Sequence, residues 1–153
     1  MRAVVVREFG GPEQLRLAEV ADLAPGPGQV LVTVHAAGVN PVDAGNRADG
    51  SWAGLSAPCV LGYDIAGVIS ATGPGTSGLA TGDQVMAMTH FPDGAGGYAE
   101  QAVVDAGLAA LLGTGVLRPV VSHVLPLAAA AEAHRILESR HTGGKIILDV
   151  AGG

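Results

Sequence analysis

The sequence is short of three things that would otherwise dominate its chemistry. It holds one cysteine, Cys59. A single thiol allows no internal disulfide and no cysteine-based metal cluster. Set between Pro58 and Val60, Cys59 reads as a small buried apolar residue. The chain also holds one lysine, Lys145, beside seven arginines, and its formal net charge is −6. No basic stripe can form, which excludes nucleic acid as the expected partner. Long apolar runs are missing too, because Gly, Pro or a charge interrupts each one well before the roughly 18 residues of a membrane span. The amino terminus, MRAVVVREFGG, carries too short an apolar run for a secretory signal. The expected location is the cytoplasm, with no membrane association.

What is present suits a folded globule. Hydrophobic residues make up 48% and charged residues 14% of 153 residues, enough for one domain with one core. No repeat or low-complexity segment interrupts it. Short β-like runs fill the first two thirds: Ala3 to Arg7, Leu15 to Val20, Val30 to Ala36, Ile65 to Ala71, Gln84 to Met88 and Tyr98 to Val104. Turns rich in Gly and Pro separate them, a spacing that predicts a mainly β fold with a closed or partly open barrel. From Leu108 the pattern changes. Leu108, Leu111 and Leu112 have helical spacing, Arg118 to Leu125 reads as a strand, and a helix opens at Pro126 and Leu127 and ends by Gly143 and Gly144. Lys145 to Val150, KIILDV, is the last expected strand, so the tail reads strand, helix, strand.

The motifs divide into those that fail on context and those that survive it. GPGTSG, residues 73–78, matches the dinucleotide pattern G-x-G-x-x-G, but no helix follows to hold a pyrophosphate at its amino end. The glycines of GAGGY, from Gly94, fail the same test. No G-x-S-x-G elbow is present, and no two of the five histidines have metal-ligand spacing on one element. His35 and His134 read as packed or surface residues, and His90 is the best placed of the five for substrate contact. Asn40 and Asp43, in GVNPVDAGNR, stand where the clearest strand opens into a loop, a common position for functional groups. Asn40 also suits a helix cap with Pro41 at the first helical position. Tyr63 and Asp64 begin an apolar strand in LGYDIAGVI. There Asp64 reads either as a proton-exchanging carboxyl of raised pKa or, preferably, as half of a structural ion pair with an arginine such as Arg47.

Several stretches together resemble the medium-chain dehydrogenase/reductase superfamily, within it the NADPH:quinone oxidoreductase (zeta-crystallin-like) branch: MRAVVVREFGGPEQLRL, PGPGQVLVTVHAAGVNPVD, GYDIAGVI, TGDQV and GGYAEQAVV. LGTGVLRPVVSHVLPLAAAAEAHRILESRHTGGKIILDV is similar to the segment that returns to complete that family's catalytic domain. The resemblance implies an α+β, mainly β fold: a GroES-like, partly open β-barrel over 1–105, completed by 108–153 as a strand-helix-strand segment of the same domain. It also implies that the Rossmann domain, which lies in the family between these two parts, is absent at about 105–108. The family's catalytic zinc ligands, a Cys and a His, fall at Asn40 and Tyr63, so the resemblance implies a metal-free domain. By the same resemblance Asn40, Asp43 and Tyr63 line the substrate side of the cleft, Trp52 flanks it, and His90 and Phe91 form a neighbouring lip. Where members carry an aromatic after the NPVD motif, this chain has Ala44, Gly45 and Asn46.

Without a Rossmann domain no cofactor is expected, and three functions follow from different classes. The favoured one is cofactor-independent proton transfer, cyclisation, isomerisation or conjugate addition on a small carbonyl or polyketide-like molecule. Asp43 or Asp64 exchanges the proton, and Tyr63 and Asn40 donate hydrogen bonds to the oxyanion. The second is a non-catalytic module whose uncovered interdomain surface forms a homodimer. The third is an excised or engineered catalytic domain of an NADPH-dependent oxidoreductase that needs a nucleotide-binding partner.

Overall fold

The computed structural model describes residues 1–90, 95–111 and 119–152. Among the described residues ten strands and two α-helices follow one another. β1 (Arg2–Val6), β2 (Leu15–Glu19) and β3 (Gln29–Val39) lead into α1 (Pro41–Asp49). β4 (Cys59–Val60), β5 (Asp64–Thr72), β6 (Gln84–Met88), β7 (Gln101–Asp105) and β8 (Ala109–Leu111) come next. β9 (Val121–Pro126), α2 (Ala130–Glu138) and β10 (Lys145–Asp149) form the expected strand-helix-strand tail.

The strands make two open sheets. The smaller has the order β2-β1-β4, and the larger runs β8-β6-β5-β3-β10-β9, with β7 also on β3. Backbone hydrogen bonds from Val4 to Tyr98 and from Glu100 to Arg2 tie the smaller sheet to the segment entering β7. The fold is therefore mainly β, with the barrel only partly closed. β10 lies antiparallel to β3 and parallel to β9, so the tail returns to the sheet that the first half began.

Alternation of side chains explains the core. Val30, Val32 and Val34 of β3, Ile69 of β5, Val85 of β6, Val104 of β7 and Ile146 and Leu148 of β10 are buried together. Each such aliphatic side chain contributes roughly 1.5–3 kcal/mol by leaving water. A register shift between Val34 and Ala36 then exchanges the faces of β3. Beyond it Ala37 and Val39 face the core, and Ala36 and Gly38 line the opposite face.

Three expectations need correction. Leu108 to Leu111 is not helical: a short 3-10 turn, Ala106–Leu108, leads into β8, which pairs antiparallel with β6. The open edge of β6 offered a ladder that a glycine-flanked helix of one turn could not match, and Leu112 lies outside the described residues. α2 stops at Glu138, before Gly143 and Gly144. Gly144 instead allows close passage of β9's entry, since a Cβ there would stand 2.5 Å from the Val120 carbonyl oxygen. Cys59 is half-buried, not buried, and partial burial raises its thiol pKa.

Candidate functional site

α1 turns an unusual face inward. Asp43, Asn46 and Arg47, three and four residues apart, are its buried side chains. Asn40 heads the helix and Pro41 occupies its first position, as the sequence predicts. Gly50 ends it at φ 72°, in the left-handed region where glycine carries no Cβ penalty.

Each inward polar group is satisfied. Asp43 accepts the backbone N–H of Asn40 at 2.8 Å and of Gly62 at 3.2 Å, and the Tyr98 hydroxyl also donates to it. Burial pushes its carboxyl up to about 7, against the pull of those donors. Asn46 donates to the Tyr63 hydroxyl at 2.9 Å and accepts the Ala53 N–H at 3.0 Å. Arg47 donates to the Gly10 carbonyl, to Glu138 at 2.6 Å and to His134 Nδ1 at 3.4 Å. His134 is buried, and burial, aided by the Arg47 charge, lowers its pKa to about 3. A guanidinium can only donate, so Nδ1 accepts and Nε2–H faces the Tyr98 oxygen at 3.2 Å. Donors thus run one way, from Arg47 to His134 to Tyr98 to Asp43.

The second polar group stands on the sheet's other face. The Asp64 Oδ2 atom accepts Nδ2 of Asn40 at 2.8 Å and Nζ of Lys145 at 2.9 Å, and Lys145 also donates to Asn40 Oδ1. Partial burial pulls the Asp64 pKa upward, but hydrogen bonds from Lys145 and Asn40, with the Lys145 charge, outweigh it and hold it below the ordinary value. Lys145 on β10 reaches Asp64 on β5 by crossing β3 at Gly38. A Cβ at Gly38 would stand 2.6 Å from Lys145 Cε and 3.2 Å from Asp64 Cβ.

Among the described residues Asp64 and Lys145 are the charged members of a groove of about 530 Å³. Its floor is one face of the larger sheet, with Ala36, Ala66, Met86, Met88 and Ile147 alternating along four strands. Leu108, Ala110 and Val120 rim it. An apolar cleft of this size with a few converging polar groups has the form of a small-molecule site.

The structure separates the expected site residues. Asn40 and Asp64 come together, but the partner of Asp64 is Lys145, not Arg47, whose guanidinium is committed to Glu138 and His134. The Asp64 carboxyl has a lowered pKa, not the raised one expected of a proton-exchanging carboxyl, so it stands ionised. Asp43 and Tyr63 do not line the groove: both are buried, and the Tyr63 hydroxyl accepts from Asn46 instead of facing a ligand. Trp52 is 72% exposed outside the groove, its indole over Gly45. His90 is exposed and bonded to Asp105 at 2.9 Å, and Phe91 lies outside the described residues. Lys145 was the missed residue, and its being the only lysine in the chain was the available signal.

Neither group implied by the fold finds a fitting donor set among the described residues. The amide of Asn40 is held by Asp64 and Lys145 and the phenol of Tyr63 by Asn46, and no group of three His, Cys, Asp or Glu suited to a metal occurs among the described residues. For a dinucleotide, Gly73 to Gly78 run through turns between β5 and β6 with no helix after them. No described helix is long and apolar enough to cross a membrane.

Comparison with known proteins agrees with this architecture. A family profile described as "Alcohol dehydrogenase GroES-like domain" matches residues 26–119, more than half of the chain. The chain is 44% identical over 104 residues to a quinone oxidoreductase of Rattus norvegicus, a match covering 67% of this chain and 31% of that protein. It thus spans about a third of the length of the curated relatives it matches. A quinone oxidoreductase structure from Coxiella burnetii superposes with a TM-score of 0.89 over 98% of this chain and 99% of that one, at 16% identity, which speaks for the fold alone. An Escherichia coli quinone oxidoreductase complexed with NADPH gives a TM-score of 0.68 at 27% identity, covering 76% of this chain and 35% of that one. The chain belongs to the alcohol dehydrogenase GroES-like domain family, as a quinone-oxidoreductase-like member of the medium-chain dehydrogenase/reductase superfamily.

Proposed function

We propose that this domain binds a small, largely apolar carbonyl compound, of the quinone or ketone class, in the groove and moves a proton on it without a nucleotide of its own. The observation that carries this reading is the Asn40–Asp64–Lys145 triangle set into an otherwise apolar groove. Two of the three ammonium hydrogens of Lys145 serve Asn40 and Asp64, leaving one for a carbonyl oxygen. That contact stabilises the charge an enolate develops. Asp64, ionised at neutral pH, accepts the proton from the adjacent carbon through its other oxygen; the C–H pair forms the enolate C=C bond as the carbonyl π pair moves onto oxygen. Where the enolate is conjugated with a further C=C bond, return of the proton at the γ-carbon gives isomerisation. Asn40 is a positioning residue that fixes both charged groups, and Asp43 supports it by holding its backbone N–H.

The chain's independence from a nucleotide rests on the junction at 105–108. β7 ends at Asp105, and the turn Ala106–Leu108 leads straight into β8 on the edge of the same sheet. On this reading 1–153 is one domain, with the nucleotide-binding unit of its relatives missing between those points. The test is deuterium incorporation at the α-carbon of acetophenone in D2O, followed by proton NMR. The expected rate is at least about a hundredfold over buffer, the lower range for general acid–base catalysis. It should fall to the buffer rate in Lys145→Met and Asp64→Asn. A wild-type rate equal to buffer, or one untouched by both substitutions, rejects the function.

One observation favours a second reading, a surface for another copy of the chain. Among the described residues β9 is an edge strand with no charged residue, and Val120 and Val124, at and within it, are 73% and 63% exposed. Antiparallel pairing of two β9 edges about a two-fold axis would cover them. Light scattering after gel filtration decides it: a dimer that Val124→Lys turns into a monomer supports this reading, and a wild-type monomer ends it.

A further inference from the structure

The polar wall of the groove offers more than a carbonyl needs. Lys145 has one N–H left to donate, and Asp64 has Oδ1, which makes no hydrogen bond among the described residues. Because Nζ and Oδ2 are 2.9 Å apart, the free donor and the free acceptor are neighbours. A plain ketone answers the donor and leaves the carboxylate oxygen to water. A molecule with an acceptor and a donor on adjoining carbons answers both. We infer that the groove selects α-hydroxycarbonyl compounds with an apolar remainder: the carbonyl oxygen accepts from Lys145 Nζ, and the neighbouring hydroxyl donates to Asp64 Oδ1. The inference rests on the carbonyl-binding reading above and narrows its substrate class.

The surroundings favour a neutral ligand of this kind. A free carboxylate ligand meets Lys145 but is opposed by Asp64, and a free amine meets Asp64 but is opposed by Lys145. The hydroxyl adds no charge and pairs with the stronger acceptor in the groove. The methionines at 86 and 88 adapt to an apolar body of varied shape, so the head group carries the selectivity. Gly38 is what leaves the pair uncovered on the groove side, since any side chain there would displace Lys145.

The test compares three probes of similar size on the 15N-labelled chain: acetophenone, α-hydroxyacetophenone and α-methoxyacetophenone. Binding is read from amide shifts at Ala36, Ala66, Met88 and Ile147. The hydroxy compound should bind about five- to tenfold more tightly than the other two. That is less than a fully buried charged hydrogen bond gives, because Asp64 and Lys145 are partly exposed. Asp64→Ala should reduce this preference to within about twofold, whereas Lys145→Met should weaken all three probes together. Equal binding of the hydroxy and methoxy compounds at these amides overturns the inference and leaves carbonyl binding standing. Absence of shifts there with any probe removes both.

Discussion

The stability of this domain between about pH 5 and 6.5 should be nearly flat for a reason that substitution can expose. Asp43 has a folded pKa of about 7 against 3.8 in the free group, so in this window the folded state holds a proton that the unfolded chain has released. Its contribution is present at low pH and is lost as pH rises through about 7. His134 has the opposite sign. Its folded pKa is about 3 against 6.5, so the unfolded chain holds the proton, and stability is lost as pH falls below 6.5. Each group alone gives a slope near one proton, about 1 kcal/mol per pH unit, and the two slopes cancel. His134→Gln keeps a donor and an acceptor beside Tyr98 and Arg47 but removes the titration. Its stability, from urea unfolding midpoints at about pH 5, 6 and 7, should fall by about 2 kcal/mol across the series. Asp43→Asn should instead gain about 1 to 2 kcal/mol between about pH 5 and 6.5. The carboxylates of lowered pKa, Asp49, Asp64, Glu100 and Asp105, lose their contributions at more acidic pH and do not blur this range. Parallel slopes in both variants, or a flat His134→Gln profile, refute the assignment of opposing protons to this chain of hydrogen bonds.

Three further outcomes follow from the same contacts. Gly38→Val should force Lys145 off Asp64, lowering the exchange rate about tenfold or more while the midpoint of thermal unfolding moves only a few degrees, since a half-exposed ion pair is worth about 1 kcal/mol at most. Arg47→Met should destabilise by about 2–4 kcal/mol in urea, because it strands the Gly10 carbonyl, His134 and Glu138 at once; the exposure of Glu138 puts this below a fully buried pair. Calorimetric titration with NADPH to about 1 mM should give no saturable heat, in keeping with the poor fit of Gly73 to Gly78 to a phosphate; micromolar binding would return the nucleotide to the mechanism.

The strands were legible because valine alternation and glycine-proline turns act locally. Val30, Val32 and Val34 mark β3 as clearly in the sequence as in the core. β8 was not legible, since Leu108 and Leu111 satisfy a helical spacing and only the waiting edge of β6 decides against it. At the site, the capping role of Asn40 and the ionic role of Asp64 could be read from the chain. Their partner could not, because pairing Asp64 with Lys145 depends on which strand β10 joins. The burial of Asp43 and Tyr63 escaped for a related reason. Polar residues at 43, 46 and 47 look like a solvated helix face until Tyr98 and His134 arrive from elsewhere to satisfy them. Spacing of three and four residues was the only hint that they share a face.

The placement of β10 between β3 and β9 also makes the charged triangle depend on distant parts of the chain. Lys145 meets Asp64 across 81 residues of chain and Asn40 across 105. Contacts of such separation carry a larger loop-closure cost than local hairpins such as β5–β6. Without β10 the second half of β3 would have a bare edge, β9 would have no strand neighbour among the described residues, and Asp64 would lack its cation. Assembly of the charged triangle is therefore a signature of the finished fold, because it needs Asn40 at the end of β3, Asp64 on β5 and Lys145 on β10 together.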